Sequence, residues 1–212
     1  ESSLRNSIVF YNTAPEETNY INSAFSNSCT TPLPAGSGNF ASEPGLTSFR
    51  NLHLLETSLC LNTGDNTAVS WPLDVDGEPR TNGAAVDAGV DEYWAAGVTG
   101  ALSAGILVNH TNVVAGFELE FQPEIEGRAR GYTWAFGDGS FDANRCVVMH
   151  SFATQGVYNV VLDVSNYTGS AAATVTLYVA SLEASQYYVA PGGGHIAPFT
   201  NWVMAATNIQ AA

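Results

Sequence analysis

The stretch Trp134-Ala-Phe-Gly-Asp-Gly139, followed by His150-Ser-Phe152 and by Gly156-Val-Tyr-Asn-Val-Val-Leu-Asp-Val164, decides the fold of this chain. In the last of these pieces the side chains alternate strictly, with one apolar face and one face that mixes Val with Asn and Asp. Such alternation predicts a β-strand that is at least partly covered on both faces. The first piece is an aromatic run that stops at Gly-Asp-Gly, and this triplet predicts a turn.

Other short runs predict further strands around these pieces. Phe117, Leu119 and Phe121 alternate with Glu118 and Glu120, and that is the pattern of a strand with one buried and one solvated face. The strand candidates of this region are 106–109, 117–121, 132–136, 146–150, 157–164 and 172–179. Several short strands with turns between them predict a β-sandwich.

Together these residues resemble the signature of the PKD domain, a small Ig-like β-sandwich named after the polycystic kidney disease protein. The resemblance covers about residues 98–180 and departs from the family at Ala135, where Asp is usual. It implies a protein that works outside cells or at the cell surface. It also implies a role in spacing, displaying or connecting other modules, because such domains rarely do chemistry.

The segment before this domain contains short β-rich runs between long polar turns and has no helical periodicity. Its ordered pieces resemble the last coils of a secreted right-handed parallel β-helix, with one departure at Leu59, where Pro is usual. The matching pieces are 4–9, 28–30, 38–40, 52–54, 57–66, 74–80 and 86–93. The resemblance implies an incomplete parallel β-helix-like module at residues 1–97.

The segment after the sandwich, residues 181–212, reads as a strand, a Gly-rich loop and a short helix. Thr200 or Asn201 is the candidate helix cap, and Trp202, Ala206 and Ile209 recur at helical spacing. This order resembles the start of a β-helix domain, in which a strand precedes a capping helix. The chain as a whole is therefore expected to be all-β, with an incomplete module on each side of a central sandwich.

Composition and charge narrow the classes of function. Of the 212 residues 45% are hydrophobic, so a core is readily buried, while only 12% are charged, about half the usual share. The formal net charge is −14, which argues against nucleic-acid binding and against anionic membranes. No apolar run is long enough for a membrane-spanning helix. The start at Glu1, without a signal peptide, is read as a mature or excised piece of something longer.

Three cysteines, Cys29, Cys60 and Cys146, lack the Cys-x-x-Cys spacing typical of zinc. If the protein is secreted, a disulfide between Cys29 and Cys60 is expected, because both lie in the N-terminal module, and Cys146 is then a small buried thiol. Three free thiols are the alternative.

Two groups of side chains are candidates for binding a cation. Asp138 in Gly-Asp-Gly is expected to fix its own turn, with His150 as a structural histidine and Trp134 and Phe136 in the core. The calcium candidates are Asp74, Asp76 and Asp87, in a pattern that lacks the last EF-hand ligand because position twelve is Ala85. The structural alternative is a polar turn in which Arg80 binds a carboxylate. We expect no bound metal or other cofactor, with calcium as the one candidate.

Catalytic signatures are missing from the sequence. It has no nucleophile elbow, metalloprotease helix or phosphate loop, and its 6 basic residues are too few for the lyase chemistry of β-helix enzymes. We therefore expect a protein that is not an enzyme. Asn109 and Asn166 open Asn-x-Thr triplets and are candidates for N-glycosylation.

The two incomplete ends lead to a functional hypothesis. An extracellular structural protein is expected, in which the C-terminal segment of one copy completes the N-terminal module of the next copy and builds a filament. The apolar anchors of this head-to-tail homopolymer are Tyr187, Tyr188, Val189, Phe199, Trp202 and Ile209. The alternatives are an adhesion module that binds a polysaccharide or a cell surface, and a non-catalytic fragment of a larger β-helix enzyme.

Overall fold

Strand-forming runs separated by Gly, Asn and Pro turns give an all-β chain in the computed structural model, which describes residues 2–12, 19–181, 188–196 and 203–207. The helical content of this part is limited to two 3-10 turns, Asn66–Ala68 and Ala95–Gly97. The strands are β1 Ser2–Arg5, β2 Ile8–Val9, β3 Ser23–Ser26, β4 Cys29–Thr30, β5 Ser103–Val108, β6 Asn112–Val114, β7 Glu118–Glu126, β8 Gly131–Ala135, β9 Phe141–Ala143, β10 Val148–Ser151, β11 Gly156–Ser165 and β12 Ser170–Ala180.

The chain divides into two compact units. The N-terminal unit comprises Glu1–Leu102 together with the segments Ile125–Gly131 and Ser165–Ser170. The second unit comprises Ser103–Glu124, Tyr132–Val164 and Ala171–Ala212. The domain boundaries that the sequence analysis placed at 97/98 and 180/181 stay predictions.

The sandwich consists of a three-stranded sheet in the order β10-β7-β5 and a five-stranded sheet in the order β6-β12-β11-β8-β9. β7 pairs antiparallel with β10, and β8 pairs antiparallel with β9, whereas β12 and β6 run parallel. All six predicted strands of this region are present with shifted ends, and β6 and β9 are short additional strands that the alternation of side chains did not indicate.

An aromatic cluster fills the space between the two sheets. Trp134 and Phe136 on and after β8 are 0% and 2% exposed, which confirms their predicted place in the core. The ring of Phe121 on β7 lies 6.1 Å from that of Trp134 and 5.4 Å from that of Phe136, and these contacts join the two sheets. In β11 the apolar face predicted from the sequence is buried from Val160 onward, while Val157 on the opposite face is 63% exposed.

The N-terminal unit begins with two pairs of short parallel strands. Ser2 to Arg5 of β1 pair with Ser23 to Ser26 of β3, and Ile8 and Val9 of β2 pair with Cys29 and Thr30 of β4. Both registers are therefore offset by the same 21 residues. A third parallel pairing follows, a single bridge between Cys29 and Phe40.

The C-terminal segment contains another parallel pairing, a bridge between Val189 and Ala206. The amide of Ala190 donates to the carbonyl of Ala206, and the amide of Ala206 donates to the carbonyl of Tyr188, both at 2.9 Å. The predicted helix is wrong in the part that is described, because residues 203–207 form a turn and this bridge. Backbone pairing with Val189 competes with the helical hydrogen bonds there. Its candidate caps Thr200 and Asn201, and Trp202 and Ile209, lie outside the described residues.

Candidate functional site

The outer edge of β1 is the feature of the N-terminal unit best suited to binding another chain. β1 belongs to a two-stranded sheet in which β3 is its neighbour, so the described residues leave its other edge without a paired strand. A strand edge presents backbone N–H and C=O groups that can pair with an added strand. The edge is short, four residues long, so a partner must also find apolar contacts beside it.

Such apolar contacts are exposed around Asn6, the residue that follows β1. A recess of about 460 Å³ is lined there by Arg5, Asn6 and exposed apolar side chains. The exposed side chains are Trp71 at 79%, Leu73 at 52%, Val75 at 61% and Val90 at 50%. A groove of about 300 Å³ shares Asn6, Gly89 and Val90 with the recess and continues over Ile8, Phe10, Tyr11, Leu46, Phe49 and Leu52. We call these two depressions together the apolar face of the N-terminal unit. These exposed apolar side chains make this face a candidate surface for binding another chain.

The predicted assembly anchors fall partly within the described residues. Tyr188 and Val189 lie at the parallel bridge with Ala206, where Tyr188 is half-buried and Val189 is 38% exposed. Tyr187, Phe199, Trp202 and Ile209 lie outside the described residues. The same segment exposes two apolar side chains that the sequence analysis did not select, Val203 at 80% and Ile196 at 54%.

The Gly-Asp-Gly turn is built as predicted. Oδ1 of Asp138 accepts hydrogen bonds from the amide and the hydroxyl of Ser140 at 2.9 and 2.6 Å, while Oδ2 lies 2.8 Å from Nε2 of His150. Burial acts to raise the pKa of Asp138, but the hydrogen bonds from Ser140 and His150 outweigh it and lower the pKa. The His150 ring stacks on Phe136 at 4.1 Å. This confirms the structural roles of Asp138 and His150.

The three calcium candidates make different contacts, and two of them accept hydrogen bonds from backbone amides. Asp74 accepts from the amides of Asp76 and Glu78 through Oδ1 and from the amide of Glu92 through Oδ2. Asp87 likewise accepts from the amides of Asn62 and Tyr93, one on each oxygen. Burial has the largest effect on the Asp87 carboxyl and raises its pKa, although the hydrogen bonds from the amides of Tyr93 and Asn62 act to lower it. Both carboxylates thus hold backbone turns.

Asp76 differs from these two carboxylates, because its Oδ2 faces His53 at 2.8 Å and the guanidinium of Arg128 at 3.5 Å. Arg80, by contrast, makes no ion pair with a carboxylate among the described residues, contrary to the prediction. It donates to the carbonyls of Gly89 and Asp87, at 2.9 and 3.1 Å. The path of the chain from Arg80 to Gly89 brings these two carbonyls, rather than a side-chain oxygen, within reach of the guanidinium.

Cys29 and Cys60, the expected disulfide partners, are both fully buried thiols in the N-terminal unit. A hydrogen bond with the thiol of Cys29, followed by burial, raises the pKa of Cys60, so the two side chains face each other. The arrangement brings together the two cysteines that the sequence analysis paired, and the disulfide itself stays a prediction. Cys146 lies in the second unit, where it is buried and the Tyr132 hydroxyl is 3.9 Å from its sulfur.

The two glycosylation candidates have different surroundings. Asn109 is exposed in the turn after β5. The Nδ2 atom of Asn166 donates to the carbonyls of Gly100 and Arg128 at 3.1 and 3.3 Å, and its Oδ1 accepts from the amides of Thr168 and Gly169. N-glycosylation would replace one of the two Nδ2 hydrogens of Asn166 and remove one of these donor contacts, so Asn109 is the better candidate of the two.

Several residues of possible functional weight were not selected from the sequence. His53, Glu78, Asp91 and Arg128 surround Asp76, although Arg128 is 52 positions away from it. The repeated Asn-Ser at 6–7 and 27–28 has the same 21-residue spacing as the parallel registers, and this repeat was a usable signal. The described part of the chain contains no helix long and apolar enough to cross a membrane.

Comparison with known families places a PKD domain in the centre of the chain. The family model described as "PKD domain" matches residues 107–181, so this region is a PKD domain, as the sequence predicted. PKD domains are typical of extracellular and surface proteins. None of the curated proteins compared with the chain matches it.

Several solved structures are similar to the same region. The PKD1 domain of Vibrio anguillarum Epp is 20% identical, with 38% of this chain and 94% of that domain covered at a TM-score of 0.33. The PKD1 domain of the Vibrio cholerae metalloprotease PrtV is 23% identical, with 37% of this chain and 96% of that domain covered at a TM-score of 0.32.

A structure of carbohydrate-binding modules from the β-sandwich superfamily is 22% identical, with 42% of this chain and 39% of that chain covered and a TM-score of 0.37. The chain therefore spans well under half the length of that structure. None of these matches supports the resemblance of the flanking segments to β-helix pieces, which stays a hypothesis.

Proposed function

We propose that this chain is a non-enzymatic extracellular connecting module that joins copies of itself head to tail. The PKD domain serves as the spacer, and the two flanking segments make the junction. The observation that carries the proposal is the constant 21-residue offset of two parallel registers beside the open edge of β1.

A constant offset on two successive strands is what one turn of a parallel solenoid requires. Between β1 and β2 the chain turns at Asn6, and between β3 and β4 it turns at Asn27, with positive φ values of 50° and 49°. The hydroxyls of Ser7 and Ser28 each donate to the carbonyl two residues earlier, at 2.8 Å. The two consecutive coils thus have the same residue at the turn, the same register offset and the same serine hydrogen bond. This repetition favours a solenoid-like module in this segment.

The C-terminal segment offers the matching partner. Its bridge between Val189 and Ala206 is also parallel, and the exposed Val203 lies in the turn just before Ala206. Residues 203–207 of one copy can add as a parallel strand to the two-stranded sheet at β1 of another copy. Apolar side chains of that segment then cover the apolar face of the N-terminal unit. A contact of this type joins different surfaces of the two copies and does not close, so it propagates into a filament.

The test is self-association of the purified full chain, followed by light scattering and electron microscopy. Deletion of residues 183–212 and the substitution Val189→Asp are both expected to abolish association. The deletion removes the added segment, and the substitution places a charge at the bridge with Ala206 that holds this segment. Val157→Asp is the matched control, since Val157 is an exposed valine on β11 of the sandwich. If the truncated chain still forms filaments, the proposed junction is wrong.

A second candidate function is binding of a polysaccharide or a cell surface by the PKD domain. The observation that favours it is Phe141 on the edge strand β9, which is 75% exposed. An exposed aromatic ring can stack on a sugar ring or on another apolar group. Saturable binding of the full chain to a glycan array, lost in Phe141→Ala, is the result that supports this function, while an array without signal contradicts it.

A further inference from the structure

A histidine and two carboxylates that are distant in sequence come together in the N-terminal unit. One ring nitrogen of His53 and one carboxylate oxygen each of Asp76 and Asp91 lie within 4.8 Å of one another. The closest pair is Nε2 of His53 and Oδ2 of Asp76, at 2.8 Å. His53 and Asp76 are 20% and 30% exposed at their side chains, so a small ion in solvent can reach them.

Asp91 is the unusual member of this group. Its side chain is 1% exposed, and its Oδ2 accepts a hydrogen bond from the amide of Leu54 at 2.8 Å. Its Oδ1 is buried and has no hydrogen-bond partner among the described residues, the nearest cation being Nη2 of Arg128 at 3.9 Å. A buried carboxylate oxygen without a donor is costly, and a cation at this point removes that cost.

The hydrogen bonds of Asn51 determine which nitrogen of His53 faces the group. Nδ2 of Asn51 donates to the carbonyls of Ile125 and Gly127, at 3.2 and 2.6 Å, so its Oδ1 is the atom that meets Nδ1 of His53. An amide oxygen only accepts, and Nδ1 therefore carries a proton. In the neutral ring Nε2 then presents a lone pair to Asp76, which is also an acceptor. These two acceptor atoms repel each other unless Nε2 is also protonated or both atoms bind the same cation.

The surrounding charges favour a divalent cation. Arg128 supplies one positive charge, with Nη1 at 2.7 Å from Glu78 and 3.5 Å from Asp76. Asp74 lies in the same acidic group as Asp76 and Glu78, and Asp91 adds a fourth carboxylate. One guanidinium does not balance four carboxylates, so negative charge remains at the surface end of the cluster.

We propose that His53, Asp76 and Asp91 form a binding site for Zn²⁺ or another first-row divalent ion, with His53 coordinating through Nε2. Imidazole nitrogen combined with carboxylate oxygen selects such ions over Ca²⁺, which takes oxygen ligands. The Nδ1–H of His53 bound to Asn51 is the outer-shell contact that orients a metal-binding histidine. Water supplies the fourth ligand on the exposed side of Asp76. This site is independent of the proposed self-association.

The test uses the tag-free full chain titrated with ZnCl₂ by calorimetry, together with long-range ¹H–¹⁵N spectra of the histidine rings. One equivalent of Zn²⁺ is expected to bind and to shift the Nε2 resonance of His53. His53→Gln and Asp91→Asn are each expected to weaken the affinity by about tenfold or more. The same titration with CaCl₂ is expected to leave the His53 resonances in place.

His150→Gln is the matched control, because His150 and Asp138 form a His–Asp pair at the same 2.8 Å with similar exposure. This variant is expected to bind Zn²⁺ as the unaltered chain does. The proposal is overturned if the chain binds no Zn²⁺, or if the spectra show both nitrogens of His53 protonated in the presence of excess Zn²⁺. The spectra of the unaltered chain decide between these outcomes even if a variant fails to fold.

Discussion

The two glycines of the Gly137-Asp138-Gly139 turn differ in how closely other atoms pack against them, although both have positive φ. Gly137 has φ of 82°, and a Cβ atom there lies 2.8 Å from the carbonyl oxygen of Asn159 on β11. Gly139 has φ of 94°, and a Cβ atom there meets nothing within 4 Å. Backbone conformation favours glycine at both positions, and close packing adds a second reason for glycine only at Gly137.

We therefore expect Gly137→Ala to destabilise the chain more than Gly139→Ala. The positive φ alone costs about 1–2 kcal/mol for alanine, and at Gly137 the contact with Asn159 adds to it because backbone atoms must move. The measurement is the free energy of unfolding in urea for both variants. Equal losses in the two variants contradict the packing argument and leave φ as the whole explanation.

Buried carboxyls are concentrated in one short element, the segment that follows Val86. Asp87, Asp91 and Glu92 are 2%, 1% and 0% exposed. Their oxygens accept backbone amides, as when Glu92 accepts from Asn82 and Asp87 at 2.7 and 2.9 Å. Burial is the leading cause that raises the pKa of all three, ahead of the hydrogen bonds that lower it. The element thus holds protons more tightly when folded than when unfolded.

This element predicts that the chain is more stable at mildly acidic pH than at neutral pH. Unfolded Asp and Glu titrate at about 4, and the folded values lie above this, so the folded state binds more protons in that window. The contribution to stability is present below the unfolded pKa and is lost as pH rises through the folded pKa. Urea unfolding in metal-free buffer at about pH 5 and pH 7 measures it.

The control for this pH effect separates burial from the overall negative charge of the chain. Asp91→Asn removes one of the three buried groups and is expected to reduce the dependence of unfolding free energy on pH. Asp163→Asn removes an exposed carboxyl of β11 and is expected to leave it nearly unchanged. Equal effects of the two substitutions show that general repulsion, rather than burial, is responsible.

The whole molecule carries 20 acidic and 6 basic residues, so any two copies repel each other. The junction we propose relies on backbone hydrogen bonds and apolar side chains, which salt does not weaken. The repulsion is screened by salt, since the screening length falls from about 30 Å at 0.01 M to about 3 Å at 1 M. Salt therefore acts on assembly mainly by weakening the repulsion between the negatively charged copies.

We expect self-association of the full chain to strengthen as NaCl is raised from about 0.01 to 1 M. Sedimentation velocity at fixed protein concentration measures the change. Val189→Asp is expected to remain monomeric across the same range. Association that weakens with salt contradicts the proposed junction, because it indicates attraction between opposite charges.

The sequence by itself determined the central domain, and local physics explains why. Strict alternation over 157–164, the aromatic run at Trp134 and Phe136, and the Gly-Asp-Gly turn are local signals, each readable from a few neighbouring residues. The roles of Asp138 and His150 followed for the same reason. The predicted helix near Ala206 was wrong because a parallel pairing with Val189, 17 positions earlier, overrides helical spacing.

Only the tertiary structure decided which polar groups meet. His53, Asp76 and Asp91 lie on separate segments of the chain, and no local pattern connects a lone histidine with acids 23 and 38 positions away. The predicted calcium set stays a prediction, and the fold gives its members different surroundings. Asp74 and Asp87 look like Asp76 in the sequence, but backbone amides occupy their oxygens in the fold. Local patterns report strands and turns, whereas the surroundings of a buried charge depend on chain segments that only folding brings together.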